Sequence, residues 1–384
     1  MTDTDPLDVI DHYGPEKVVF VSDARTGMRG VLVIDNTSRG TGKGGTRMAA
    51  NVTFSDVARL ARVMTWKWAV VDLFLGGAKA GIAWDPNRPD KEAVLRSFVR
   101  RLHNEVPEEY VFGLDMGLQE SDAAIILDEL GDRGGAVGTP HSLGGLPYDQ
   151  LGITGLGVAE ATAEAAAVMG IDLAKSSISI QGFGAVGMAT ARRLSELGAT
   201  VVAVSTSEGV LHQPEGIDVD TMLELQSHVG DRCVIEYVGG TVLAQNAELT
   251  VPADILIPAA IQDVVDATTA RDIQARLVVE GANLPITPEA DSILKERNVT
   301  VVPDIVANAG GVIAAAYAMD ARYSPFRVDP ELVYAAVSSR IRQQTAAILR
   351  DAHETGSTPR IAARNLARSR VEAAMRARGV PRWD

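Results

Sequence analysis

The sequence predicts an α/β fold with a doubly wound parallel sheet in the second half of the chain. Three observations predict it. Ile178-Ser-Ile-Gln-Gly-Phe-Gly-Ala-Val-Gly187 reads as a buried strand entering a G-x-G-x-x-G turn that opens a helix. Strand-like and helix-like segments then alternate to about residue 306, the rhythm of βαβ units. The length, 384 residues, suffices for two domains that each bury a core.

Taken in order, Lys17 to Val21 and Gly30 to Ile34 are strand-like and flank the turn Asp23-Ala-Arg-Thr-Gly27. Arg39-Gly-Thr-Gly-Lys-Gly-Gly-Thr-Arg47 reads as a glycine-dense loop. Between Ser55 and Val70, Val57, Leu60, Ala61, Met64 and Trp68 recur at helical spacing. Gly76-Gly-Ala-Lys-Ala-Gly81 reads as a second glycine loop. Residues 90 to 105 read as helix, and Glu109 to Phe112 as a strand entering Leu114-Asp-Met-Gly117. The stretch Gly131 to Gly145, with Pro140 and Pro147 nearby, is the expected domain junction. An Ala/Gly/Thr-rich helix over Ile153 to Met169 leads to the glycine turn. Beyond it, Gly187, Thr190, Ala191, Leu194 and Leu197 form one helix face, Gly198 ends the helix, and Thr200 to Val204 is a strand. Further strands are expected at Ile255 to Pro258, Leu277 to Glu280 and Val299 to Pro303. Pro330 to Arg378 reads as an arginine-rich helical tail.

The glycine turn carries the first chemistry. Gly182 permits the tight turn, Gly184 lets backbone approach a pyrophosphate, and Gly187 lets the helix pack on the strand. Ala185 and Val186 open the helix, whose free N–H groups and dipole favour an anion. A Rossmann-type dinucleotide site is therefore expected, with NAD or NADP as cofactor. An NAD site normally ends its second strand in Asp or Glu, roughly 20 residues past the glycines. Here that strand ends Ser205-Thr-Ser-Glu208, with a hydroxyl at Thr206. Losing the acid removes repulsion against a 2′-phosphate, so the reading leans slightly to NADP or dual use.

Composition bounds the rest. Hydrophobic residues make 46% and charged residues 22%, ordinary for a water-exposed globular chain. The net charge of −14 argues against nucleic acid and anionic membrane surfaces, which select basic patches. Cys233 is the only cysteine, which excludes an intrachain disulfide and fits a reducing compartment. No Cys/His cluster has metal-ligand spacing, so no metal is expected. The acidic start lacks signal-peptide order, and no run of about 18 apolar residues occurs. A cytoplasmic enzyme is the expectation.

Three lysines stand out. Lys67 shares the apolar helix face with Leu60 and Met64, and a lysine there ordinarily snorkels to water. Lys43 and Lys79 lie in the glycine-dense segments, where backbone can crowd a small ligand. Three ammonium groups in one pocket bind carboxylates and depress one another's pKa, which tunes a lysine toward base chemistry. Asp115 is the matching carboxylate for proton traffic, although an Asp before a turn glycine is commonly a turn residue.

Gly42-Lys-Gly-Gly-Thr-Arg47, Met64-Thr-Trp-Lys67, Gly76-Gly-Ala-Lys79 and Ile153-Thr-Gly-Leu-Gly-Val158 stand in order with the glycine turn. Asp254-Ile-Leu-Ile-Pro-Ala-Ala260, Val279-Glu-Gly-Ala-Asn283, Thr287-Pro-Glu-Ala-Asp291 and Val302-Pro-Asp-Ile-Val-Ala-Asn-Ala-Gly-Gly311 follow. Together they resemble the glutamate/leucine/phenylalanine/valine dehydrogenase family, most of all its glutamate dehydrogenases. The resemblance implies an N-terminal α/β substrate and oligomerisation domain over residues 1–145, joined by C-terminal helices 335–384. A dinucleotide domain over 146–334 completes the expected fold. It also implies reversible oxidative deamination of an L-amino acid to a 2-oxo acid and ammonia, in a homo-oligomer, with hexamers usual for the family.

By the same resemblance Lys79 matches the catalytic lysine that activates water, and Asp115 the aspartate that exchanges protons with the amine. Lys67 matches the lysine for the α-carboxylate, and Lys43 the one for a side-chain carboxylate. Thr154, Ala259 and Asn283 match positions on the cofactor side. Departures concern the substrate. Ala315 stands where glutamate enzymes usually carry serine, Gly113 where alanine is frequent, and Gly144-Gly-Leu-Pro-Tyr-Asp149 replaces a more polar run. These changes suit a larger or less polar side chain, whereas Lys43 favours an acid. L-Glutamate is the leading expectation; an apolar or unusual amino acid is the alternative, and a non-catalytic regulatory paralogue a further one.

Overall fold

The structure is a computed structural model that describes residues 5–148 and 150–380. Asp149, singled out above, lies outside the described residues. The chain divides into two compact units.

The first unit runs to Pro147 and adds Val312–Val333 and the segment from Leu366. Its strands are β1 (Lys17–Asp23), β2 (Met28–Asn36), β3 (Gly42–Lys43), β4 (Thr46–Ala49), β5 (Gly76–Ala83) and β6 (Tyr110–Val111). They order β1-β2-β5-β3-β6, with β4 also paired to β5. Helices α1 (Phe54–Val70), α2 (Lys91–Arg101) and α3 (Glu120–Leu130) belong to the same unit. Thr53 caps α1 by accepting from the Asp56 backbone N–H. Leu32, Ile34, Ile82, Phe98, Tyr110 and Phe112 are fully or almost fully buried in one core.

Here the structure differs from the sequence reading. The two glycine-dense segments are not loops: they contain β3, the start of β4 and most of β5, which has strands on both sides. Glycine and alanine hide the strand pattern because β5 needs small residues. A Cβ on Gly77 would collide with Thr65 Oγ1 and lie 2.7 Å from the Ala61 carbonyl oxygen, so glycine is what lets α1 lie flat on the sheet.

The second unit comprises Tyr148–Gly311 and Tyr334–Asn365. Its strands are β7 (Ser177–Gln181), β8 (Thr200–Thr206), β9 (Gly209–His212), β10 (Thr241–Leu243), β11 (Ile255–Pro258), β12 (Leu277–Val279) and β13 (Thr300–Val302). They order β10-β9-β8-β7-β11-β12-β13. The strands from β8 to β13 across β7 are parallel, while β9 and β10 add an antiparallel edge the sequence did not predict. After β7 the chain places β8 on one side and β11 on the other. That is a topological switch point, where doubly wound sheets open a crevice at their strand ends. Helices α4 (Ile153–Val168), α5 (Ala185–Glu196), α6 (Val219–Val229), α7 (Cys233–Glu236), α8 (Ala267–Asp272), α9 (Pro288–Glu296) and α10 (Asp304–Ala307) belong to this unit, α5 to α9 lying between strands, α4 before them and α10 after.

Three helices complete the chain: α11 (Gly310–Ala321), α12 (Pro330–Thr355) and α13 (Pro359–Ala377). The tail is thus two helices, interrupted where Gly356 takes φ +65° and Pro359 restarts the helix. The compact units also divide this region differently from the sequence boundary at 335. Residues 334–365 cluster with the second unit and 312–333 with the first. The contacts give the reason. From α12, Ser338 and Arg342 bond buried Glu160 of α4, and from the first turn of α13, Arg360 bonds Glu280 after β12. Met319 of α11 instead packs with Val111 and Val137. No helix among the described residues is long and apolar enough to cross a membrane.

Candidate active site

The first cluster grows from β5. Lys79 pairs with Val33 of β2 and is 7% exposed, so the strand delivers an ammonium group into the unit's interior. Its Nζ is ion-paired with Asp115 Oδ2, and Arg47 Nε lies 3.4 Å from the same oxygen. The segment carrying Asp115 runs beside β4, with Thr46 N–H donating to the Gly113 carbonyl and Met48 N–H to that of Met116. Burial lowers the pKa of Lys79; Asp115 opposes that and Arg47 adds to it. Burial works to raise Asp115, but Lys79 and Arg47 together hold it below the usual carboxylate value. Arg47 was quoted in the sequence motif without a role. The one available signal was its position closing a Gly-Gly-Thr-Arg run next to Lys43.

Lys43 of β3 is 3% exposed. Its ammonium donates to the carbonyls of Phe112 at 2.8 Å and Val111 at 3.2 Å. Burial, reinforced by the Lys79 charge, brings its pKa down to about 7. Gly113 does not leave free room beside it. A Cβ there would collide with Lys43 Nζ and sit 3.0 Å from the Gly44 carbonyl oxygen. The space gained by the missing methyl is filled by the lysine itself. Lys67 is 8% exposed on the buried face of α1 and does not snorkel; the next residue, Trp68, donates to the Lys43 carbonyl at 3.0 Å. Ala315 lies half-buried within α11.

The second cluster surrounds the turn after β7. Gly182 adopts φ +90°, a conformation that suits glycine. A Cβ on Gly187 would collide with the Gly182 carbonyl, which fixes how closely α5 meets the strand. At Gly184 a Cβ would meet nothing within 4 Å, so the backbone stands open to a ligand. Gly184 is also the α5 N-cap, with no side-chain cap over the first turn at Ala185 and Val186. Thr154 opens α4 with its hydroxyl against Gly311. Ala259 follows β11 and packs against Gly281. Asn283 is exposed in the next loop, and its Oδ1 accepts from Asn308 at 3.1 Å. Asn308 also donates to the carbonyls of Gly281 and Ala282. Below that loop, Glu280 is fully buried, pushed up to about 7 by burial, and held by Arg360 at 2.6 Å.

Thr206 is placed at the end of β8 but its hydroxyl is not free. It donates to the Asp231 carbonyl at 2.6 Å and accepts from the Glu208 N–H at 3.2 Å. A group so engaged cannot serve a ribose hydroxyl and a 2′-phosphate equally well. A cavity of about 670 Å³ in the same unit, lined by Met169, Lys295, Val301, Leu349 and His353 among others, includes none of the candidate catalytic, substrate or cofactor residues.

The family model for glutamate/leucine/phenylalanine/valine dehydrogenase matches residues 144–379, and the dimerisation-domain model of the same family matches residues 15–132. The chain is 37% identical over 330 residues to the NADP-specific glutamate dehydrogenase of Saccharolobus shibatae, covering 82% of this chain and 77% of that one. It is 37% identical over 284 residues to the NAD-specific glutamate dehydrogenase A of Halobacterium salinarum, covering 71% and 64% respectively. The Leu-bound form of the hetero-hexameric glutamate dehydrogenase from Thermus thermophilus superposes with TM-score 0.84 at 32% identity, covering 97% of this chain and 92% of that one.

Proposed function

The chain belongs to the glutamate/leucine/phenylalanine/valine dehydrogenase family, and from that premise we propose that it catalyses reversible NAD(P)-dependent oxidative deamination of L-glutamate to 2-oxoglutarate and ammonia. The observation that carries this reading is the buried Lys79–Asp115 ion pair with Lys43 close enough to feel its charge. One acid, one tunable base and a further cation are what deaminating an acidic amino acid requires.

The residues around the glycine turn fit a nicotinamide dinucleotide: an open backbone at Gly184, an uncapped helix N-terminus, and the switch-point position. When bound, the cofactor takes up the hydride released from the substrate Cα. Gly182, Gly184, Ala185, Val186 and Gly187 hold the pyrophosphate in this reading, and Thr154, Ala259 and Asn283 face the nicotinamide half.

Asp115 accepts a proton from the substrate nitrogen as Cα loses hydride, leaving an iminium. Lys79, in its neutral form, then takes a proton from the water that adds to the iminium carbon. Collapse of the carbinolamine returns a proton to nitrogen, and ammonia leaves with the 2-oxo acid. Burial lowers the Lys79 pKa, the direction that favours its neutral form. Lys67 holds the α-carboxylate and Lys43 the side-chain carboxylate.

An apolar or unusual amino acid is the second reading, favoured by two observations. Ala315 offers no hydroxyl, and the Lys43 ammonium is already bonded to two carbonyls. In either reading the first unit acts on the amino acid, the second holds the dinucleotide, and the chain works as a homo-oligomer, a hexamer, in the cytoplasm. Reduction of NAD and NADP by the purified protein across a panel of L-amino acids tests the proposal. Glutamate should give the highest kcat/KM, and a higher value with leucine or valine would transfer the assignment to the second reading.

A further inference from the structure

The end of β8 lacks its own acid, yet the fold brings one there from elsewhere. After α6, a short 3-10 turn, Gly230–Arg232, places Asp231 against the strand end. The Asp231 carbonyl accepts from Thr206 and its carboxylate from Ser207, each at 2.6 Å. Gln245 fastens the same loop, donating to the carbonyls of Thr206 at 3.0 Å and Ser207 at 2.7 Å. On the other side of the strand, Ser205 accepts from the Gly182 N–H at 2.9 Å, which ties the strand end to the glycine turn. So Asp231 is held in place, exposed, beside a strand end that is itself anchored to the pyrophosphate turn.

The charge around it is one-sided. From residue 200 to 250 the sequence holds eight carboxylates, Glu208 among them, against one Lys/Arg side chain, Arg232. That arginine is paired with Glu236 at 2.9 Å. In a doubly wound fold the end of the second strand lies beside the adenine ribose. A carboxylate there accepts from the 2′-hydroxyl of NAD and repels the 2′-phosphate of NADP.

We propose that Asp231 takes the place of the missing strand-end acid and makes this chain selective for NAD over NADP. The inference rests on the dinucleotide reading above and reverses the lean toward NADP that Thr206 alone invites. Ser207 orients the carboxylate, and Thr206 serves to hold the Asp231 backbone rather than to contact the ribose.

The test is calorimetric titration of the full-length protein with NADH and with NADPH, which reads binding without turnover. Wild type should bind NADH on the order of 100-fold more tightly, since like charges facing each other weaken binding strongly. Asp231→Asn should narrow that ratio about tenfold, mainly by tightening NADPH. Asp231→Glu, which keeps the charge, should preserve the preference, and Glu208→Gln should move the ratio less than Asp231→Asn. Equal or tighter NADPH binding by wild type overturns the proposal, as does a ratio unmoved by Asp231→Asn or moved more by Glu208→Gln. Binding of neither nucleotide overturns the dinucleotide reading itself, a result distinct from any of these.

Discussion

At the residue scale, buried lysines carry the chemistry proposed for the first unit. Lys79→Ala should lower kcat by on the order of 10²–10⁴-fold, the usual cost of removing an acid–base group. Binding of reduced cofactor, measured by fluorescence, should change little; a variant with wild-type kcat would contradict the role. Lys43 makes a pH prediction. With its pKa near 7 in the free protein, the side chain is charged below that value and neutral above it. The ratio of kcat/KM for glutamate to that for leucine should therefore fall as pH rises through about 7, and Lys43→Leu should flatten the profile. The stability linkage has its own sign. The folded pKa lies below the ordinary 10.5, so the unfolded chain holds more protons between these values. The Lys43 contribution to stability should rise with pH across that window.

At the scale of elements, legibility followed side-chain size. The strands of the second sheet announce themselves because both faces are covered and each reads as a short apolar run, as in Ile255–Pro258. Strand β5 does not, since Gly76, Gly77 and Gly81 are there to admit α1 and its neighbours rather than to fill a core. The sequence located Lys79 and Asp115 by motif but could not show that they pair, because 36 residues and two other secondary elements separate them. Arg47 and Asp231 were missed for the same reason: each acquires its meaning from a partner distant in sequence. Gly77→Ala should destabilise the protein by about 1–3 kcal/mol in urea unfolding, because its Cβ meets Thr65 and the Ala61 carbonyl. An unchanged midpoint would mean that α1 shifts without cost.

For the molecule as a whole, the central claim is that two chemically distinct sites, one of buried lysines and one of open glycine backbone, serve one reaction. Each unit is legible by itself: the first as a sheet that buries cations, the second as a switch-point crevice. Only the stoichiometry of the reaction joins them. The direct measurement incubates the purified protein with L-glutamate and oxidised cofactor and quantifies reduced nicotinamide, 2-oxoglutarate and ammonia together. Equimolar formation of all three is the predicted result, slowed by on the order of 10²–10⁴-fold in Lys79→Ala. A folded wild-type protein that binds NADH yet forms none of them from glutamate or any other L-amino acid would contradict it.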